Sequence, residues 1–302
     1  MSDRPESVPD ERAGILLAGT AYVVWGFLPL YWHVLSDVPA LQVTAARVVF
    51  GFVTAGLVTL GRGRWSRIVS IVTAPALIRN LVASALLIGC NWTIFVYAVA
   101  ARHIVETSLG YYILPLISIA LGVMLFGERL SRLRIFALLL AGVAVLVQVA
   151  MLGHFPWISL SLAFSFGFYG YFRKLTPVPA LDGLLIEMLV LLPLTLVIGI
   201  YWWGTGELAL GAGSSWRDLV LICAGPLTVV PLSMFAGGAR RIRLSTLGFL
   251  QYLAPTISLL IATLVLGEPF TLVKAVSFAC VWAALALVAS EGRVRVWRFV
   301  GK

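Results

Sequence analysis

Charge is scarce in this chain. Only 12% of its 302 residues are Asp, Glu, Lys or Arg, against about 25% in an ordinary soluble domain. That leaves too little polar surface for a water-soluble globule. Acids are scarcer than bases, 13 Asp and Glu against 22 Lys and Arg, for a formal net charge of +9. Such a balance can mark a nucleic-acid partner, but here the basic residues sit in loops between apolar runs, which is a topology signal, so no nucleic acid is expected. Cysteines number 3. Cys90, Cys223 and Cys280 all fall inside apolar runs, which excludes a disulfide framework and a thiolate metal set. His33, His103 and His154 stand at run ends without metal spacing and read as solvated interface residues. The chain has no Walker-type phosphate loop, so it does not itself use ATP. It has no Ser/His/Asp set, no His-Glu-x-x-His and no paired intramembrane Asp. An enzyme is therefore not expected, and neither a cofactor nor a metal is called for.

Apolar length is what the chain has in abundance. It is 61% hydrophobic with a mean hydropathy of +1.00. Runs of about 18 or more apolar residues are transmembrane candidates, and they recur at 15–33, 40–60, 77–99, 104–126, 133–151, 156–172, 183–203, 217–238, 244–266 and 271–289. Residues 1–13 form a polar tail that lacks the basic start and cleavage site of a signal peptide. With the N-terminus cytoplasmic, 18 of the 22 basic residues fall in inner loops and tails, leaving Arg102, Arg217 and Lys274 outside and Arg47 within the membrane. That asymmetry predicts an even number of spans with both termini in the cytoplasm.

Two stretches repeat at a constant offset of 140 residues. Tyr112-Ile113-Leu114-Pro115-Leu116-Ile117-Ser118 leads to Gly127-Glu128, and Tyr252-Leu253-Ala254-Pro255-Thr256-Ile257-Ser258 leads to Gly267-Glu268. Trp25-Gly26 and Tyr169-Gly170 echo each other at an offset of 144. A repeat of this length implies two copies of one unit. Five spans per copy is odd, so the second copy enters from the opposite side. The expected fold is an all-α integral membrane protein of ten transmembrane helices, built as inverted five-helix repeats at 14–151 and 156–290, with a basic tail at 291–302.

Further stretches carry a resemblance. They are Ala21-Tyr22-Val23-Val24-Trp25-Gly26, Gly89-Cys90-Asn91-Trp92, Ser108-Leu109-Gly110-Tyr111, Leu125-Phe126-Gly127-Glu128-Arg129, Leu162–Gly170 and Arg243–Tyr252. Over roughly 14–290 the chain resembles the RarD group of EamA-type permeases in the drug/metabolite transporter superfamily. The Gly-Glu helix ends occur across that superfamily, and Leu-Ser-Thr-Leu-Gly-Phe-Leu-Gln-Tyr is more particular to RarD-like proteins. The resemblance implies ten helices, a bacterial inner membrane and a link to chloramphenicol sensitivity or resistance. It implies no firmly assigned natural substrate.

Ionisable residues at membrane depth cost roughly 2.5–3.5 kcal/mol each. Two stand out. Arg47 lies about seven residues into the second run, roughly 10 Å from its outer end. Glu187 lies about five residues into the seventh, roughly 7 Å from its inner end. Facing a water-filled cavity, Arg47 would attract an anionic or polar ligand group, and Glu187 would be the protonatable site for proton coupling. The alternatives are a structural ion pair or a snorkelling arginine. A direct Arg47–Glu187 pair is disfavoured, because the repeat places them on opposite sides of the midplane.

Tyr22, Trp25, Asn91, Trp92, Tyr111, Tyr112, Tyr169, Gln251 and Tyr252 sit within or at the edge of spans. They could line a site for an amphipathic or aromatic solute, or they could serve packing and interface anchoring. Anchoring is the reading for Trp202, Trp203 and Trp297. Pro115 and Pro255 occupy equivalent positions, as paired hinges or as static kinks. Glu128 and Glu268 read as turn-forming, each favouring the N-terminus of the next helix, with Ser131 and Thr271 as its caps. The expected function is a secondary transporter for a small-molecule solute in the lipid bilayer, with protons as the possible coupling ion. A non-transporting scaffold or sensor is the alternative. The sequence sets no oligomeric state.

Overall fold

The apolar runs fold as helices because a backbone in lipid must satisfy its own hydrogen bonds. The computed structural model describes residues 11–101, 103–152, 154–265, 275–276, 278–288 and 290. In order these form α1 (Glu11–Val34), α2 (Ala40–Gly61), α3 (Trp65–Val72), α4 (Pro75–Ala100), α5 (Ile104–Phe126), α6 (Arg132–Leu152), α7 (Trp157–Leu175), α8 (Ala180–Thr205), α9 (Ser215–Ala239), α10 (Leu244–Gln251), α11 (Leu253–Leu264) and α12 (Phe278–Val288). Eight helical stretches among the described residues are long and apolar enough to cross a membrane. This is an all-helical, multi-pass membrane protein. The tails at 1–10 and 291–302, Gly267-Glu268, Thr271, Lys274 and Trp297 lie outside the described residues.

Large apolar side chains point outward along the spans. Leu16, Leu57, Met124, Leu146, Val197 and Leu264 are all exposed, as a lipid-facing surface requires. The interior is built from α1, which packs on α9 and α11, and α7, which packs on α4 and α5; α2 lies against α8 and α9, and α10 against α5. Two glycines allow the closest approaches. A Cβ on Gly26 would stand 2.6 Å from Ile257, and one on Gly167 would stand 2.8 Å from Ile117. The isoleucines of the repeated Pro-x-Ile-Ser stretch are thus the knobs, and glycines of α1 and α7 are the holes.

Three local features differ from the sequence reading. The loop expected after α2 contains α3, a short amphipathic helix that buries Ile68 and Ile71 and exposes Trp65 and Val69. The run at 244–266 is broken at Tyr252, whose N–H turns back to the Phe249 carbonyl at 3.3 Å. Pro255 contributes to that break, because it has no N–H to offer the Gln251 carbonyl. Pro115, by contrast, sits inside an uninterrupted α5.

Glu128 is the third. Its carboxylate accepts hydrogen bonds from the backbone N–H groups of Leu244 at 2.7 Å and Ser245 at 2.9 Å. It therefore caps α10, far away in sequence, rather than the next helix. Gly127 turns the chain with φ +61°, and Ser131 accepts from Arg134 N–H at 3.2 Å, as an N-cap of α6 should.

Candidate functional site

Arg47 projects from the first third of α2 into the space between α1, α4 and α9. Its Nε–H donates to Thr228 Oγ1 at 3.1 Å. Its Cζ lies 4.3 Å from the Trp92 ring centroid and 5.4 Å from that of Trp32. The phenols of Tyr31 and Tyr111 lie within electrostatic range. Tyr31 is held by a hydrogen bond to the Val220 carbonyl. Tyr111 packs edge-on against Phe95 yet keeps 48% of its surface accessible. No acid pairs with Arg47 among the described residues.

Toward the end of the bundle that carries most of the arginines, an aromatic cluster fills the interior. Tyr22 meets Trp25 at 5.3 Å between ring centroids, Trp25 meets Phe166 at 5.8 Å, and Tyr169 stacks on Phe235 at 5.8 Å. Tyr22, Tyr169 and Phe235 are fully enclosed. Phe235 lies seven residues along α9 from Thr228, or roughly 10 Å. The cluster therefore separates Arg47 from Glu187, because Tyr169 donates its phenol to Glu187 Oε2 at 3.4 Å.

Glu187 is 0% exposed. Arg173 of α7 donates to its Oε1 at 3.3 Å, and Ser84 of α4 donates to the same oxygen at 2.5 Å. Arg173 also donates to the Ala180 carbonyl at 2.9 Å. One turn outward, Asp182 lies buried 3.7 Å from the exposed Arg67 of α3. Arg240, just beyond α9, donates to the Val178 carbonyl at 2.5 Å. Burial first, then the charges of Arg173 and Arg241, hold its guanidinium below the usual range. Positive charge is crowded at this end, and Glu187 and Asp182 are its counterions.

The remaining sequence candidates fall elsewhere. Asn91 donates to the Leu162 carbonyl and to Ser165 Oγ, both at 2.9 Å, and so ties α4 to α7. Gln251 stands at the α10–α11 break with its side chain beside the Tyr22 hydroxyl. Tyr112 packs on Phe278 at 5.2 Å, and its carbonyl accepts from Tyr252. Trp203 is exposed at the far end of α8, beside a separate apolar cavity of about 280 Å³ between α2, α8 and residues 208–210.

Comparison with known proteins adds the family. No family profile matches the chain. An uncharacterized transporter of Vibrio cholerae is 44% identical over 94% of both chains. Protein RarD of Escherichia coli K12 is 42% identical over 91% of this chain and 93% of its own. The chain belongs to the RarD-type permeases. Another relative, the chloramphenicol-sensitive protein RarD of Pseudomonas aeruginosa, is 32% identical over 91% of this chain and 92% of its own. A solved crystal structure only 19% identical shares the fold, with a TM-score of 0.73 over 93% of this chain and 98% of that one.

In this RarD-type chain, sequence reasoning missed the partners more than the principals. Arg173 was counted among loop arginines, but α7 runs on to Leu175 and the first turn of α8 folds over it. Gly183 leaves the room, since a Cβ there would collide with the Arg173 guanidinium. Glu106 was passed over. It is buried, with its Oε1 3.0 Å from His103 Nδ1 and 4.0 Å from His154 Nε2, so these histidines face a carboxylate rather than water alone. Thr228 and Ser84, which bond Arg47 and Glu187, stand 144 residues apart. That offset was already visible in the Trp25/Tyr169 echo.

Proposed function

We propose that this chain is a secondary transporter that moves a small polar or amphipathic solute across a bacterial inner membrane by alternating access. Arg47 carries the reading. It is a charge at membrane depth with no acid partner among the described residues, framed by the rings of Trp32 and Trp92. A lone charge at membrane depth is expensive in a purely structural role and useful in a solute pathway.

The architecture we infer is ten spans in two five-helix repeats of opposite orientation, 14–151 and 156–290, with both tails cytoplasmic. Matched contacts support it. Ile117 on Gly167 resembles Ile257 on Gly26, with Gly167 three residues, about one turn, before the Gly170 that echoes Gly26. Arg47 on Thr228 parallels Glu187 on Ser84. Val38-Pro39-Ala40 opens α2 as Val178-Pro179-Ala180 opens α8, 140 residues later. Exchanging the halves also carries the packing of α1 on α9 and α11 onto that of α7 on α4 and α5. Rocking of one half on the other would flex at Pro115 and at the break before Pro255.

Arg47, Trp92 and Tyr111 form the solute chamber in this reading. Tyr22, Trp25 and Tyr169 form its floor, and Gln251, Tyr112 and Tyr252 the flexible wall. Asn91 holds the seam between α4 and α7. Glu187 is the coupling site: a proton on its carboxylate removes the charge that holds Arg173 and loosens the arginine-rich end. Flux of candidate solutes into proteoliposomes tests the function, with candidates chosen by comparing metabolites of cells with and without the protein. Glu187→Gln should insert normally and lose dependence on the pH gradient; unchanged gradient dependence removes Glu187 from coupling. The name of the Pseudomonas relative extends the reading to chloramphenicol: expression should change a host's sensitivity to it.

A further inference from the structure

The solute that Arg47 recognises can be narrowed by chemistry. A guanidinium carries five N–H donors. Thr228 takes the one on Nε. The two terminal nitrogens have no partner among the described residues, and neither is sealed from solvent. Trp92 and Trp32 cover the cation with their rings, so what remains free is the planar edge. A free guanidinium edge matches a carboxylate in two parallel hydrogen bonds.

Charge balance decides among anions. One cation neutralises one negative charge. A phosphate dianion would leave a net charge at membrane depth, and no second cation pairs into this space among the described residues. Glu187, the carboxylate named in the pathway, is committed to Arg173 behind the aromatic floor. A cationic or strongly zwitterionic solute therefore finds no acid beside Arg47. The indoles of Trp32 and Trp92 instead offer flat apolar faces to the body of the solute.

We infer that Arg47, framed by Trp32 and Trp92, is the binding site for the carboxylate of a small monoanion with a flat, apolar body. This rests on the transporter reading of the same space. The test uses phenylacetate, with phenylacetamide and phenethylamine as neutral and cationic isosteres, and measures equilibrium binding to the purified detergent-solubilised protein. Phenylacetate should bind at least tenfold tighter than either isostere. Arg47→Gln should abolish that preference, Arg47→Lys should keep part of it, and Trp92→Leu should weaken all three aromatic probes. Thermal unfolding of each variant identifies any that fail to fold, and Arg47→Lys keeps the test open if Arg47→Gln is one of them. No phenylacetate binding at millimolar concentration, equal binding of the amide, or a preference that survives in folded Arg47→Gln overturns the assignment. Flux assays separate this from the broader reading. Binding without flux of any solute defeats transport but not the site, whereas flux confined to neutral or cationic solutes defeats the site but not transport.

Discussion

Tyr252 donates its phenolic O–H to the backbone carbonyl of Tyr112 at 3.4 Å, and the two tyrosines occupy the same position of the repeat, 140 residues apart. In the inverted-repeat architecture proposed above, a residue that touches its own counterpart would lie close to the axis relating the two copies, as in an isologous contact. Both tyrosines are buried. The bond is long, so its loss in Tyr252→Phe should cost less than about 1 kcal/mol. Tyr252→Ala should cost about 3–5 kcal/mol, because it empties a packed site. Thermal unfolding in detergent distinguishes the two, and equal losses would mean that the hydroxyl rather than the ring holds the contact.

The paired glycines predict a matched set of clashes. A methyl group on Gly26 would stand 2.6 Å from Ile257 Cβ and 2.9 Å from its Cγ2. Overpacking of this kind costs about 1–3 kcal/mol. Gly26→Ala and Gly167→Ala should both lower stability by that amount. Adding Ile117→Ala to the second removes the Cγ2 that stands 2.8 Å away and should restore part of the loss, which a double-mutant cycle would read as coupling. Ile257→Ala should rescue the first much less, because alanine keeps the Cβ that makes the closest contact. Additive losses at Gly167 and Ile117 would show that these side chains do not meet.

Glu128 predicts where a helix loosens. Its carboxylate serves Leu244 and Ser245 N–H, and losing a cap of this kind costs about 0.5–2 kcal/mol. Glu128→Ala should speed amide hydrogen exchange at 244–247. Faster exchange confined to 132–134 would instead place Glu128 on α6.

What the sequence made legible followed from periodicity and offset. Apolar length located the helices. The fixed offset of 140 pairs Tyr112 with Tyr252 and Ile117 with Ile257. Arg47 and Glu187 were visible because a charge inside an apolar run is costly wherever it points. Their partners were not visible, since Thr228 and Ser84 are ordinary in a span and only packing brings them within reach. Arg173 was hidden by its position. A cation at a helix end reads as a loop residue until the next helix is seen to cover it. Glu128 misled because a capping acid is local by default, and nothing in one strand of sequence marks a cap that serves another half of the molecule. Pro115 and Pro255 look alike in sequence and differ in effect, as the surrounding packing holds α5 continuous and lets the other helix break.

The Arg173–Glu187 pair makes the sharpest demand on energetics. Both side chains are about 1% exposed, so neither charge has water to fall back on. Removing one partner of a buried pair strands the other and costs about 3–5 kcal/mol, whereas replacing both with apolar groups of similar size is often near neutral. Arg173→Met and Glu187→Leu should each destabilise the purified protein by that amount, and the double variant should recover most of the loss. Ser84→Ala removes a hydrogen bond to a charged group and should cost about 1.5–3 kcal/mol. The double variant also asks a functional question that the stability data cannot answer alone. With no charges left to lock, the arginine-rich end should open without a proton. Flux, if restored, should then be insensitive to the pH gradient, as measured in proteoliposomes with and without a collapsed gradient. A double variant as unstable as the singles would show that the two residues act separately. A stable double variant that still follows the gradient would move the coupling site away from Glu187.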